Sequence, residues 1–588
     1  MKGPLLRVVV GVMLLALAGC GGLPREGPIQ SGPSREPGAE LEAAVDYTPE
    51  GPRRGAVPLD VVGGFLQAMQ ATPLSTAVAR EFLTDEASTE WVPEKATVVY
   101  GVYALEGRGA RIRLELSETA KLDSRGEWLG DTSEGRGLSH RLRLVRERGQ
   151  WRISNPPDSL IIAQAYFQTR FTQHFLHFFD RSAQVLVPEP VYVPVGEQAP
   201  TLLVRGLLRG PEPPLSEVIR TFIPARTQLD DLSVLVSDDG LAQVPLTENI
   251  AEVDAETLDL ALAQIGWTLG QVPGVRKFQV TVDGSPLQLP GQGTNHDVTA
   301  WPEFDPSVAW ASPDLFGIRD SRVVAVSDGG SERLLGVTGA KDFDARAVAL
   351  DLPARRVAGV SGDGSSVLVA PRDRAGAAVR DPAGPIVSGA EDLLQPAWDI
   401  HGQLWLLDQT PDGAALSVLS EDTTKVAAPG ITGRDVEAFE LSRDGTRLVA
   451  VVERGRRDRL VVARVVRRDD GSVRGVTPAQ QLPLAGSAVK EIQDVAWRTP
   501  GSVMVLTQPT QGSSQVSLAL VDGSTATGDL VPDAGILPQQ PVRLVASPTP
   551  GTPVLVETAR RRIYELSEGD GWSRSAIEPG LASVTYVG

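Results

Sequence analysis

The chain has one cysteine and five histidines in 588 residues, and no apolar run approaches the ~20 residues needed to cross a bilayer. A single cysteine excludes an intramolecular disulfide, so the fold must be held by buried apolar surface alone. Few histidines, and no His-Glu-x-x-His pair, leave no basis for a zinc site. No Gly-x-Ser-x-Gly elbow, phosphate loop or EF-hand calcium loop is present, so nothing in the sequence nominates a catalytic residue, a metal or a cofactor. Positive charge is also short. Lys and Arg number 56 against 74 Asp and Glu, and the net charge of −18 would repel nucleic acid and anionic lipid alike.

What is present begins with that one cysteine. Cys20 closes the tetrapeptide Leu17-Ala18-Gly19-Cys20 after cationic Lys2 and Arg7 and an apolar stretch from Val8 to Ala18. This is the layout of a bacterial lipoprotein signal: residues 1–19 are removed, and Cys20 becomes an N-palmitoyl, S-diacylglycerol cysteine. A thiol is required because the thiolate is the nucleophile that takes the lipid. Two acyl chains hold far better than one, at about 0.8 kcal/mol per buried methylene. An uncleaved transmembrane anchor is the alternative, but the apolar stretch is too short to span. Everything after Cys20 is then expected outside the cytoplasm, lipid-anchored on the extracytoplasmic face of the cell membrane.

Residues 20–56 are rich in Gly, Pro, Glu and Arg with little apolar periodicity and read as a flexible linker. From 57 to 185 a helical pattern (Leu59, Val62, Phe65, Leu66, Met69) and a second short helix over 75–83 precede alternating strands at 96–105, 110–117, 138–147 and 151–153. That order predicts an α+β domain with helices on one face of an antiparallel sheet. Residues 186–295 predict a second α+β domain, with a helix at 201–208, a hairpin turned at Asp238-Asp239-Gly240, a long helix over 255–269 and a strand at 277–282.

From 300 to 588 helical patterns cease. Short strands alternate with aspartyl-glycine turns, such as Asp363-Gly364, Asp412-Gly413, Asp444-Gly445 and Asp470-Gly471. An apolar anchor followed by a turn recurs at Trp310, Leu350, Trp398, Leu441, Trp497 and Ala546, near the 40–50 residue length of a propeller blade. The expected fold is therefore multidomain: two α+β domains, then an all-β propeller of six or seven blades, all behind an N-terminal lipid anchor. A pair of β-sandwiches is the alternative, although it would not impose that period.

His174 and His177 have His-x-x-His spacing but fall in an aromatic stretch (Tyr166, Phe167, Phe171, Phe175, Phe178, Phe179) that reads as a helix, where they are packing residues. The cluster Arg454, Arg456, Arg457, Arg459, Arg464, Arg467 and Arg468 interleaves with valines and reads as the solvated edge of a hairpin. A hydrolase on the propeller channel would need converging carboxylates, and the sequence shows no such set.

Cys20 with the following Gly21-Gly22-Leu23-Pro24, the stretch Phe178-Phe179-Asp180-Arg181 continuing to Leu186-Val187-Pro188-Glu189-Pro190-Val191-Tyr192-Val193-Pro194, and Leu207-Leu208-Arg209-Gly210-Pro211 resemble the actinobacterial LpqB lipoprotein family over essentially the whole chain. The resemblance implies a GerMN-like middle domain, a C-terminal propeller and a non-enzymatic role. It implies a partner as well, the extracytoplasmic domain of the sensor kinase of the Mtr two-component system, whose signalling in envelope homeostasis and division the lipoprotein would modulate. An envelope-binding lipoprotein that engages peptidoglycan or another cell-wall glycan, without a signalling partner, is the alternative. Exposed tryptophans among Trp301, Trp310, Trp398, Trp405 and Trp497 would favour it.

Overall fold

The structure, a computed structural model, describes residues 47–588 except 132–136, 290, 292, 328–329, 335–338, 340–343, 373–385, 456, 485–490, 511–512, 526–536, 538–539 and 568–570. Cys20 and its lipobox residues Leu17, Ala18 and Gly19 lie outside the described residues, as does Arg456 of the arginine cluster.

The first unit opens with α1 (Pro58–Ala68), whose proline at the first turn costs no intrahelical hydrogen bond. Its residues Val61, Val62, Phe65 and Leu66 are buried, each contributing up to ~1.5–3 kcal/mol of transfer energy. Two short helices follow, α2 (Ala77–Arg80) and α3 (Asp85–Glu90); the second is capped by Thr84, whose side chain accepts from Ala87 N. The stretch expected as one helix over 75–83 is thus a single turn, and the chain then re-starts at Thr84. The sheet comprises β1 (Thr97–Arg108), β2 (Arg111–Leu122), β3 (Trp128–Asp131), β4 (Leu138–Glu147), β5 (Gln150–Ile153) and β6 (Leu160–Ala163). It runs β5-β4-β2-β1-β6, with β3 paired to β2 and β6 parallel to β1. Its inner face packs on the helices around Phe65, Trp91, Leu114 and Ile161.

The aromatic stretch departs from expectation. Only Gln164–Arg170 is helical (α4), and Phe171–Asp180 is a strand, β7, paired antiparallel with β8 (Leu186–Pro194) from Phe171↔Pro194 to Phe179↔Leu186. His174 and His177 therefore sit on a strand. The boundary expected at 185/186 falls in the turn of this hairpin, whose two strands share one core, so the second unit begins near Phe171. That core is completed by α5 (Ala199–Arg209), α6 (Ala255–Gly270) and a sheet in which Leu241–Pro245 runs parallel to Lys277–Val282. The long helix starts at Asp254, whose carboxylate accepts from Thr257 N at 3.0 Å, satisfying one of the otherwise orphaned first-turn donors.

The C-terminal unit holds six sheets among the described residues, arranged in a ring. The inner strands are Ala345–Leu350, Ala397–Trp398, Val436–Leu441, Glu491–Thr499, Pro541–Val545 and, closing the first sheet, Ala582–Thr585. That last strand pairs antiparallel with Leu315–Arg319, so the two ends of the propeller are zipped within one blade and no inner edge is left open. Five of the six expected anchors stand at the ends of inner strands. Trp310 does not, because the first blade takes its inner strand from the C-terminus.

Candidate functional site

Two clusters of ionisable side chains distinguish this molecule: one at the junction of the middle unit and the propeller, one in the propeller channel. Neither was visible as a motif, since each is assembled from residues on separate elements that are remote in sequence: Glu189 lies 258 positions from Arg447, and the channel residues come one from each of four blades.

At the junction, strand β8 presents Glu189, 4% exposed, to the propeller. Arg447 Nη2 donates to Glu189 Oε1 at 2.9 Å and to Pro188 O at 2.7 Å, while Arg464 binds both carboxylate oxygens at 2.6 and 2.7 Å. Asp444 lies 3.4 Å from the other arm of Arg447. Burial disfavours the Glu189 charge, but Arg447 and Arg464 outweigh it and hold the carboxyl below the ordinary range. Further contacts line the same face: Arg181 pairs with Asp469 at 2.6 Å, Gln173 donates to Asp522 at 3.1 Å, and Tyr192 shares a 2.6 Å hydrogen bond with Ser524. Arg467 pairs with buried Asp399 at 2.6 Å, and Asp399 also accepts from Trp405 Nε1. The arginine cluster is thus a hairpin, as expected, but not a wholly solvated one: Arg464 and Arg467 are turned inward and paired.

The first unit joins the same assembly through Arg125. Its buried guanidinium pairs with Asp123 and Glu127 and donates to Gly210 O at 2.9 Å. Tyr192 N donates to Gly126 O at 2.8 Å, and the Trp128, Phe167 and Tyr192 rings pack together with centroids 5.1–6.1 Å apart.

In the channel, Glu440, Asp494, Arg543 and Gln395 converge from four blades on a cavity of about 140 Å³, and Glu557 stands close by. Burial, reinforced by the Asp494 charge and opposed by Arg543, pushes Glu440 up to about 8, so it is protonated at neutral pH. Asp494 is raised by burial too, although it accepts from the backbone N–H groups of Leu544 and Val495. Arg543 is hydrogen-bonded to the Gln395 amide, which in turn donates to Thr585. One further arginine, Arg443, is buried with no carboxylate partner among the described residues. It donates to Ser547 Oγ, Thr549 Oγ1, Ser307 O and Val587 O, joining the fourth blade to the sixth and to the chain's end. Burial lowers it to about 10. The converging carboxylates that the sequence did not reveal are therefore present; their signal lay in acidic residues spaced within successive inner strands.

The histidines make no catalytic constellation that the geometry supports. Burial pushes His177 down to about 3, and its ring packs 5.8 Å from Trp267. His401 Nε2 lies 3.9 Å from Asp180, but Ser182 donates to that same Asp180 carboxylate, so the acid stands between serine and histidine, the reverse of a nucleophile–base pair. No set of three His, Cys, Asp or Glu suited to a metal occurs among the described residues. Trp301, Trp398, Trp405 and Trp497 are buried and only Trp310 is exposed, so they form no glycan-binding face. Trp301 belongs to the middle unit, where it donates to Asp259.

Fold and site together define a multidomain β-propeller scaffold in which the middle α+β unit is fastened onto the propeller by buried ion pairs and holds the first α+β unit through the Arg125 hydrogen bond to Gly210 O. Comparison with known proteins gives this class a family. Models for the LpqB N-terminal domain, for the domain of sporulation and spore germination proteins and for the LpqB beta-propeller domain match residues 51–168, 175–288 and 321–580. The chain belongs to the LpqB lipoprotein family, and is an envelope lipoprotein with a GerMN-like region and a C-terminal propeller. It is 27% identical to lipoprotein LpqB of Thermobifida fusca over 97% of both chains, and 27% identical to that of Mycobacterium tuberculosis over 99% of both. Among solved structures, the first GerMN domain of Bacillus subtilis GerM matches 21% of this chain and 92% of its own (21% identity, TM-score 0.18). TolB from Acinetobacter baumannii matches 57% and 86% (12% identity, TM-score 0.33).

Proposed function

We propose that this lipoprotein, anchored through Cys20 on the extracytoplasmic face of the cell membrane, binds the extracytoplasmic domain of the Mtr sensor kinase and modulates its signalling in envelope homeostasis and division, without catalysing a reaction itself. Membership of the LpqB family supports the reading. The observation that carries it is the Glu189–Arg447–Arg464 junction, which makes one packed body of the GerMN-like unit and the propeller. A partner that engages one unit is thereby held to the whole anchored body.

The mechanism is a shift of population. A lipoprotein that prefers one signalling state of the kinase moves the equilibrium by its difference in affinity for the two states and by no more. Confinement of both partners to one membrane raises their effective concentration, so a modest affinity is enough. The test is titration of the compact unit, Thr48–Gly588, with the purified extracytoplasmic kinase domain. Saturable one-to-one binding is expected; its absence at concentrations near 1 mM, well above those a shared membrane requires, would overturn the reading.

A further inference from the structure

The cavity between the first unit and the propeller is not used by the role above. It encloses about 340 Å³, within the range of small-molecule sites, and is lined by β1 and β2, by α4 and by the propeller residues Ser524 and Thr525. We propose that it is a saccharide-binding subsite.

Three features of its lining point to that chemistry. The first is an aromatic wall: Trp128 and Phe167 face the cavity and are held in place by their contact with each other and with Tyr192. Such a wall suits the apolar C–H face of a sugar ring. The second is a rim of Gln164, Gln168 and Glu118, all exposed, whose side chains make no hydrogen bond among the described residues. Amides both donate and accept and a carboxylate accepts, which matches an array of hydroxyl groups. The third is the backbone at Glu118. Its φ of 52° is left-handed, a conformation that costs a side-chain-bearing residue ~1 kcal/mol or more, and the residue opposite is Gly101, where a Cβ would collide with the Glu118 carboxylate. The strand thus holds that carboxylate at the rim.

The lining also argues against other ligands. Among the described residues it has no lysine or arginine for a phosphate, and the one carboxylate described there, without a second, is a poor trap for a cation. The subsite stands apart from the signalling role and does not depend on it.

Its test uses the full lipidated chain in detergent micelles, titrated with two probes, tri-N-acetylchitotriose and maltotriose, and read by saturation-transfer NMR and calorimetry. Saturable binding of at least one is expected. Gln164→Ala/Gln168→Ala, which removes exposed side chains that hold nothing in the fold, should weaken it at least tenfold, and Trp128→Phe should weaken it severalfold with the ring packing retained. Preference for the acetylated trimer would mark a wall-derived ligand, and equal binding of both a general saccharide site. No binding of either probe up to about 10 mM, or binding that both variants leave unchanged, would overturn the assignment.

Discussion

Glu189 and Arg447 stand 258 residues apart in the chain and 2.9 Å apart in the molecule, both shut off from solvent. A buried pair of this kind offsets a large desolvation cost only when both partners are present and hydrogen-bonded, and here Arg464 and Pro188 O complete the set. The contact therefore acts as a latch between the middle unit and the propeller. It tolerates no partner alone.

Glu189→Ala should lower the stability of the folded chain by ~3–5 kcal/mol, because it takes from Arg447 and Arg464 the buried carboxylate that both share and leaves Arg447 with Pro188 O and Asp444. Arg447→Met should cost a similar amount, and the double variant less than the sum of the two, with a coupling of ~0.5–3 kcal/mol. Chemical denaturation of the four proteins of the cycle measures this. Additive effects would show that the latch contributes nothing as a pair. Since the folded Glu189 carboxyl is held below 4.5, its contribution is complete above that value and is lost as pH falls through the folded value.

Glu440 should give the opposite slope. Its folded value of about 8 lies above the ordinary 4.5, so the protein is stabilised relative to alkaline conditions while the carboxyl is neutral in the unfolded chain, and that advantage is lost as pH rises from 4.5 to about 8. Glu440→Gln, which keeps the shape and removes the charge, should flatten the dependence and raise stability at pH 9 by ~2 kcal/mol, discounted for the openness of the channel. Thermal melts between pH 5 and 9 would show it. An unchanged slope in the variant would assign the pH dependence to other groups.

The architecture was legible where periodicity is local and hidden where partners are remote. The helix at 255–270 and the strand at 277–282 follow directly from apolar spacing, and five blade anchors follow from the repeat. β7 was misread because both its faces are covered, one by α6 and the other by the propeller. A doubly buried strand loses its two-residue alternation, and its aromatics then match helical spacing by chance. Arg464 and Arg467 looked like surface because their carboxylates lie 275 and 68 residues away. The channel carboxylates were hidden for the same reason: Glu440, Asp494 and Glu557 meet only once the ring has closed.

Gly126 should resist substitution at the join of the first two units. Its φ of +88° is left-handed, and a Cβ there would strike the backbone carbonyl of Tyr192, the residue whose N–H bonds Gly126 O. Gly126→Ala is expected to cost at least ~2 kcal/mol, the conformational term of ~1–2 kcal/mol plus the displacement of β8. Because β8 also carries Glu189, proteolytic susceptibility should rise at both junctions. A fully stable variant would mean that this contact gives way freely.

The lipid anchor should matter through concentration and not through fold. Cys20 lies outside the described residues, whereas Thr48–Gly588 forms a compact unit by its own contacts, so Cys20→Ser should leave the melting transition of the folded units unchanged. It should, however, move the protein from the membrane fraction to the soluble fraction, since without the two acyl chains no described helix is long and apolar enough to hold it there. If the partner is met in the plane of the membrane, release dilutes the lipoprotein from an effective concentration of order millimolar to its bulk value, and a modest affinity then leaves the kinase unoccupied. Signalling output should fall to that of the deletion strain even though the isolated domains bind equally well. Full output from the soluble variant would show that tethering plays no part, and that the affinity alone is high enough to sustain the complex.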